Sequence, residues 1–254
     1  MSRSVVLSGP YLSGRGNALN AAMKDPRVAC LPAGTAGKIR IVSVFTTDPR
    51  KGKSPLFITP TQLRAIVTEH PDRAVWARTQ NSAQMVDIAE MQKCLTEPDA
   101  IAVVVASHAL GAKLTNNPLL RGMNVKTVLM SPLTLSEVLS QQPRQKEERT
   151  MSRWAANITD LLKKRILAQY RSKGIGLNSI ARKYLRDGAK STADILVSFA
   201  FRFDLVLYNP EAPFATNKSA HVADETVEAF IGILLGEMSD PEIAKPWPIE
   251  HFVQ

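Results

Sequence analysis

The stretch that most constrains this chain is Val5-Val6-Leu7-Ser8-Gly9-Pro10-Tyr11-Leu12-Ser13-Gly14-Arg15-Gly16-Asn17-Ala18-Leu19. A short apolar run breaks at glycine and gives way to a helix-like pattern. Gly9, four residues and then Gly14 reproduce the glycine spacing of a phosphate-binding loop. In such a loop a buried strand delivers the chain to a turn without bulky side chains. The turn's N–H groups and the N-terminus of the next helix then converge on an anion. Two positions depart from that pattern. Arg15 stands where a lysine is expected, and Gly16 where a serine or threonine would hold magnesium. Arginine still contacts phosphate, as a planar fork rather than a compact point charge. The candidate phosphate-binding residues here are Gly9, Ser13, Gly14, Arg15, Gly16 and Asn17. The bland alternative is a glycine-rich strand-to-helix turn that holds no ligand.

The rest of the composition narrows the class. At 254 residues, 44% hydrophobic and 22% charged, the chain buries a core and stays soluble. No run approaches a membrane span, and MSRSVVLSGP lacks the long apolar region of a secretory signal. Cys30 and Cys94 lack metal-ligand spacing and read as reduced thiols, so a cytoplasmic location is expected. His70, His108, His221 and His251 are scattered, and no metal site is predicted from them. The net charge of +9 is uneven. Arg144 to Lys190 carries 13 Lys and Arg against 4 Asp and Glu, whereas residues 191–254 carry 3 against 10. A basic stretch of this kind meets nucleotide phosphates, nucleic acid or an acidic protein surface, or is simply a solvated face.

Periodicity predicts strands at Ser4–Ser8, Lys38–Thr47, Pro55–Ile58, Ala74–Arg78, Ala100–Ala106, Val125–Met130 and Phe203–Tyr208. Helices are predicted at Arg15–Lys24, Thr61–Glu69 with Thr59 or Thr61 as cap, Ala83–Leu95 and Thr134–Gln141. Further helices are predicted at Met151–Tyr170, Thr192–Phe201 and Ala220–Met238, with a helical turn around Pro118–Met123. Ala100–Ala106 (AIAVVVA) is the most β-branched run and reads as a central parallel strand, buried on both faces. Strands alternating with helices indicate a doubly wound α/β fold.

Several segments in order resemble the guanylate kinase family of P-loop nucleoside monophosphate kinases. Val6-Leu7-Ser8-Gly9-Pro10 is similar to the start of that family's loop. Thr46-Thr47-Asp48-Pro49-Arg50-Lys51-Gly52 resembles the segment that cradles the GMP phosphate. Val75-Trp76-Ala77 followed by Asn81 is similar to the guanine-site strand and loop. Glu147-Glu148, then Arg153-Trp154-Ala155-Ala156, looks like the start of the helix after the lid. Phe203-Asp204-Leu205-Val206-Leu207-Tyr208-Asn209 resembles the last strand and the asparagine near the adenine. The resemblance covers roughly 1–165 and 200–238. It implies one guanylate-kinase-like domain over 1–254: a P-loop parallel sheet, a small NMP-binding-like lobe at 46–92, a lid-like loop at 142–150 and a basic helical insertion at 171–191. Its implied acceptor-site residues are Thr47, Arg50, Arg78, Asn81 and His108. Its implied catalytic residues are Arg15, Arg144 and Arg153, and Asn209 joins the nucleotide-binding set. ATP or GTP is the implied cofactor, with Mg2+ only if the chain is active.

The departures bear on activity. Phosphoryl transfer is mostly positioning and charge neutralisation around the moving group. Asp48 stands where the family carries its first phosphate arginine. Arg78 stands where a glutamate would read guanine, and Ser82 and Ala83 where tyrosine is expected. Ala106 and His108 occupy the positions of two aspartates, and the lid arginines are thinned to Arg144 and Arg149. Trp154 and Trp76 read as core residues rather than stacking platforms. The insertion RSKGIGLNSIARKYLRDGAKS places Ile180, Ala181, Tyr184 and Leu185 on one helical face, with Arg182, Lys183 and Arg186 outside as nucleic-acid candidates. The expected function is that of a degenerate, catalytically weak or inactive guanylate-kinase-like protein that binds a phosphate-bearing ligand or acts as a scaffold with a protein partner. The alternatives are an active ATP-dependent nucleotide kinase with altered base choice and a nucleic-acid-binding protein. No membrane partner is expected.

Overall fold

The computed structural model describes residues 3–29, 39–79, 82–96, 100–115, 117–143, 150–199, 202–216, 219–237 and 244–245. In chain order the elements are β1 (Arg3–Ser8), α1 (Arg15–Ala22), α2 (Pro26–Ala29), β2 (Ile39–Ile41), β3 (Val44–Thr46), α3 (Pro60–Glu69), β4 (Ala74–Arg78), β5 (Ala83–Asp87), α4 (Ile88–Cys94), β6 (Ile101–Val105) and α5 (His108–Leu114). They continue with β7 (Val125–Ser131), α6 (Leu135–Ser140), α7 (Thr150–Ser172), α8 (Ser179–Lys183), α9 (Ala189–Phe199), β8 (Leu205–Tyr208), β9 (Ala215–Thr216), β10 (Ser219–Ala220), α10 (Asp224–Leu235) and β11 (Ala244–Lys245). The fold is α/β. Six strands form one sheet in the order β11-β8-β7-β1-β6-β2. Five run parallel and β11 pairs antiparallel with β8. Val5–Leu7, Ala102–Val104, Thr127–Leu129 and Val206–Leu207 are buried, as strands covered on both faces must be.

The chain divides into two compact units, Met1–Ser8 with Met23–Val128, and Gly9–Ala22 with Leu129–Gln254. In the first, β6 lies between β1 and β2 and is parallel to both, with Val5 opposite Val103 and Ile41 opposite Val103. A second, antiparallel sheet of order β3-β5-β4 belongs to the same unit. One face of β4 and β5, through Val75, Ala77 and Val86, joins the core of Val6, Val104 and Leu110. The other face, through Ala74, Ala83 and Met85, packs on Leu63 of α3. Thr59 caps α3 with a reciprocal capping box: its hydroxyl accepts from the Gln62 N–H at 3.2 Å and the Gln62 carbonyl oxygen accepts from the Thr59 N–H at 2.8 Å. Replacing Thr59 by alanine is therefore expected to lower stability by about 1 kcal/mol, read from the urea unfolding midpoint.

In the second unit α7 carries a stripe recurring every four residues, Trp154, Ile158, Leu162, Ile166 and Tyr170, that is fully buried. Its neighbour α9 supplies Ala193, Leu196 and Val197. Between α8 and α9 the chain makes a π turn, Tyr184–Gly188. Tyr184 is buried there with its hydroxyl 3.2 Å from that of Thr192, and burial pushes its pKa up.

Several predicted elements come out differently. The single strand expected over Lys38–Thr47 is two, β2 and β3, in different sheets. The break falls at Ser43, whose N–H leaves the ladder for Glu90 Oε1 at 3.0 Å. Pro55–Ile58 is a turn with one isolated parallel bridge, Phe57 to Thr46, rather than a full strand, because the N–H groups of Leu56 and Phe57 go back to Ser54. Ala83–Leu95 is not one helix. Ala83–Asp87 pairs on both sides as β5, and Asp87 then caps α4 by accepting from Ala89 N–H at 2.9 Å. Met85, Ile88 and Met91 fit the helical period, but only Ile88 and Met91 are on the helix; Ala83 and Met85, two apart, share one face of β5. The last long helix starts at Asp224, not Ala220, because Ser219 and Ala220 pair with Thr216 and Ala215.

Candidate functional site

The glycine loop belongs to the second unit. It leaves the sheet at Gly9 and becomes α1 at Arg15, whose first helical bond runs from Ala18 N–H to Gly14 C=O at 2.9 Å. Gly14 sits at φ +89°, and a Cβ there would meet Asn209 Nδ2 at 2.8 Å and His221 O at 2.9 Å. Only glycine fits on both counts. At Gly9 a Cβ would meet the Ser13 hydroxyl at 2.5 Å. Leu12, buried, takes a left-handed φ of +63°, which costs a non-glycine residue about 1–3 kcal/mol. No sequence signal marks a leucine for that role. The Arg15 guanidinium folds back and donates from Nη1 to Gly9 O at 2.9 Å. Burial lowers its pKa, since desolvation disfavours the charged form. The hydroxyl of Ser13 is buried and has no hydrogen-bond partner. A helix N-terminus, a half-buried guanidinium and an orphaned hydroxyl thus occupy one turn, and all three favour an anion.

Asn209 holds this turn in shape. Its Nδ2 donates to Ser13 O and His221 O, both at 2.9 Å, and its Oδ1 accepts from Glu211 N–H and Ala223 N–H, both at 3.2 Å. Read from sequence as an asparagine near the adenine, it is fully buried and spends its amide on the protein's own backbone. Asn17 donates from Nδ2 to Ala220 O. His221 has its Nε2 2.8 Å from the Thr216 hydroxyl and its ring 4.8 Å from that of Phe214.

The acceptor-site candidates lie in the first unit, except for Asn81, which is outside the described residues. Thr47 Oγ1 accepts from Ala83 N–H at 2.8 Å. Arg50 is exposed and engaged by Asp48 through a two-point pair, Nε to Oδ1 at 2.9 Å and Nη2 to Oδ2 at 2.8 Å. That bond holds the Asp48 carboxyl below its usual range and raises Arg50. Asp48 also caps the short turn Pro49–Lys51. Arg78 ends β4, and His108 opens α5, where the Ser107 hydroxyl caps Leu110 N–H at 3.3 Å. Trp76, expected in the core, is instead 37% exposed on β4 with Lys113 Nζ 5.0 Å from its ring centroid. The strand period explains it: Val75 and Ala77 take the core face and leave Trp76 on the other.

Arg144 and Arg149 lie outside the described residues. Arg153 is exposed on the first turns of α7, and Trp154 beside it is buried, donating from Nε1 to Val138 O at 2.8 Å. Sequence reading missed Arg165, whose guanidinium reaches Glu137, Pro132 O and the Tyr208 hydroxyl. Thr134-Leu135-Ser136-Glu137 carries the capping-box spacing that marks Glu137, the acidic partner, but no local signal marks Arg165. Arg182, Lys183 and Arg186 are exposed along α8 and the π turn, while Ala181 and Tyr184 face inward. Arg186 Nε pairs with Asp187 Oδ2 at 2.8 Å.

Neither a protein-family model nor a curated protein matches this sequence. Among solved structures, the guanylate kinase from Anaplasma phagocytophilum is similar, at 12% identity over 99% of this chain and 93% of that chain, with a TM-score of 0.49. A likeness of that strength carries no residue's role across.

The residues present fit a phosphate better than a hydrated magnesium ion. Ser13, Arg15 and the first turn of α1 offer donors to an anion. Gly16 has no side-chain oxygen, and Asn17 is tied by its amide to Ala220. No described helix is long and apolar enough to cross a membrane.

Proposed function

We propose that this chain is a guanylate-kinase-like protein that binds a phosphate-bearing ligand at the Gly9–Gly16 loop and phosphorylates GMP weakly or not at all, acting as a binding or scaffold module. The observation that carries the reading is the loop's buried donor set, the Ser13 hydroxyl without a partner and the Arg15 guanidinium drawn against Gly9 O. An unsatisfied buried hydroxyl is costly in the free protein and is offset when an oxyanion enters, and the half-buried guanidinium adds matching charge. Loops of this kind recur wherever backbone N–H groups cradle phosphate.

Calorimetry of the whole chain against ATP, GTP, GMP and pyrophosphate, with and without magnesium, tests it. Binding of at least one phosphate ligand is expected without a requirement for magnesium. Charge-assisted bonds contribute roughly 1.5–3 kcal/mol each, so Arg15→Ala is expected to weaken that ligand about ten- to a hundredfold. If saturating ATP, GTP and pyrophosphate leave the thermal transition unmoved, the loop holds no phosphate. A second reading rests on the exposed row Arg182, Lys183 and Arg186. Nucleic acid bound there would show an affinity falling steeply with salt, and neutralising those residues would leave the loop ligand untouched.

A further inference from the structure

The second sheet and α3 enclose a groove of about 740 Å³ that the glycine loop does not touch. Its size falls among small-molecule sites, about 300–1,000 Å³. Among the described residues, the charged side chains lining it are Arg64 and Arg78, with no carboxylate. Its apolar wall includes Phe57, Leu63, Val67 and Trp76, with Leu63 and Val67 beside Arg64 on α3 and Trp76 two residues from Arg78 on β4. Trp76 is a large side chain left over one-third exposed beside this wall, on a strand whose other face is core. The Thr47 hydroxyl oxygen already accepts from Ala83 N–H, so its own proton is left to donate into the groove. Thr47 and Arg78 come from the set the family resemblance implied. Arg50 and His108 do not line the groove, and Arg64, Leu63 and Val67 of α3 take their place.

We propose that this groove is a binding site for a small aromatic organic anion, its carboxylate or phosphate group held by Arg64 and Arg78 and its ring laid on the Trp76–Phe57 wall. A guanidinium fork matches carboxylate or phosphate geometry and stacks on aromatic faces. The same lining selects against guanine, whose ring N–H donors find no carboxylate here. The electrostatic and apolar halves are separable: charge sets the class of ligand, and the indole and phenyl faces set its shape.

The test titrates the full chain with α-naphthyl phosphate, α-naphthoate and neutral α-naphthol by calorimetry, in the wild type, Arg15→Ala, Arg64→Ala/Arg78→Ala and Trp76→Ala. Arg64, Arg78 and Trp76 are exposed, and the thermal transition and circular dichroism confirm folding. The expected result is binding of at least one anion that persists in Arg15→Ala and weakens at least about tenfold in both groove variants, with naphthol about tenfold weaker than the anions. The phosphate and carboxylate arms tell which oxyanion is preferred. Loss in Arg15→Ala with no change in the groove variants assigns the probe to the loop, overturning the groove and leaving the loop reading intact. Equal affinity for naphthol, or no heat at about 1 mM of either anion, also overturns the proposal.

Discussion

Supplied with ATP, magnesium and GMP, the purified protein is expected to turn over several orders of magnitude more slowly than the roughly ten per second of a typical enzyme. Transfer of a phosphoryl group depends on cations and donors placed around the charge that develops. In the first unit, Asp48 stands where the resemblance places a phosphate arginine, and its carboxylate already neutralises the remaining one, Arg50. Arg78 offers donors where the resemblance implies a guanine-reading acceptor. Ala106 and His108 leave no carboxylate after β6 to hold a cation. In the second unit, Gly16 supplies no side-chain oxygen, and Asn17, fastened through Nδ2 to Ala220 O, offers at most a neutral amide oxygen. Losing one such donor typically costs about 10²–10³ in rate; several are missing. Turnover near ten per second in a coupled ATPase assay would overturn the reading, and restoring Asp48→Arg alone is expected to recover none of it.

Much of the fold was legible because its signals are local. Ile101–Val105 is β-branched and apolar throughout, so only a strand buried on both faces accommodates it. Thr59 and Gln62 announce the start of α3, and the stripe recurring every four residues along α7 announces its buried face. What the sequence hides is long-range. The amide of Ser43 finds Glu90 from 47 residues away, which splits one apparent strand between two sheets. Met85, Ile88 and Met91 keep helical spacing, yet only Ile88 and Met91 lie on α4; pairing with β3 and β4 puts Met85 on a strand. The candidate site shows the same division. Gly14 and Arg15 are marked by spacing, whereas the left-handed Leu12 and the Asp48–Arg50 pair follow from backbone geometry that no motif encodes. Asn209 was found for one reason and placed for another: the resemblance put it beside a base, and the fold uses it to fasten the loop.

That fastening predicts the largest stability effect. Replacing Asn209 by alanine leaves two carbonyl oxygens, on Ser13 and His221, and two N–H groups, on Glu211 and Ala223, without the side chain that served them. The site is fully buried, and each unsatisfied buried group costs about 1–3 kcal/mol. Because water refills part of the gap, the expected loss is about 3–5 kcal/mol rather than the full sum. In a chain of two units this is read on the transition that includes α1 and α10, not as one global midpoint. Pyrophosphate protection should fall with it, since Ser13 and Gly14 lose their anchor. Asn209→Asp separates the two halves of the clamp. Its carboxylate still accepts from Glu211 and Ala223, but faces the Ser13 and His221 oxygens with no proton to give. Burial and those oxygens raise its folded pKa above the unfolded value of about 3.9. The stabilising contribution of the protonated form is therefore complete below about pH 4 and is lost as pH rises through the folded pKa. The variant should approach the wild type in acid and diverge from it toward neutrality. A pH-independent deficit, or an Asn209→Ala transition within about 2 °C of the wild type, would show that the loop is held by something other than this side chain.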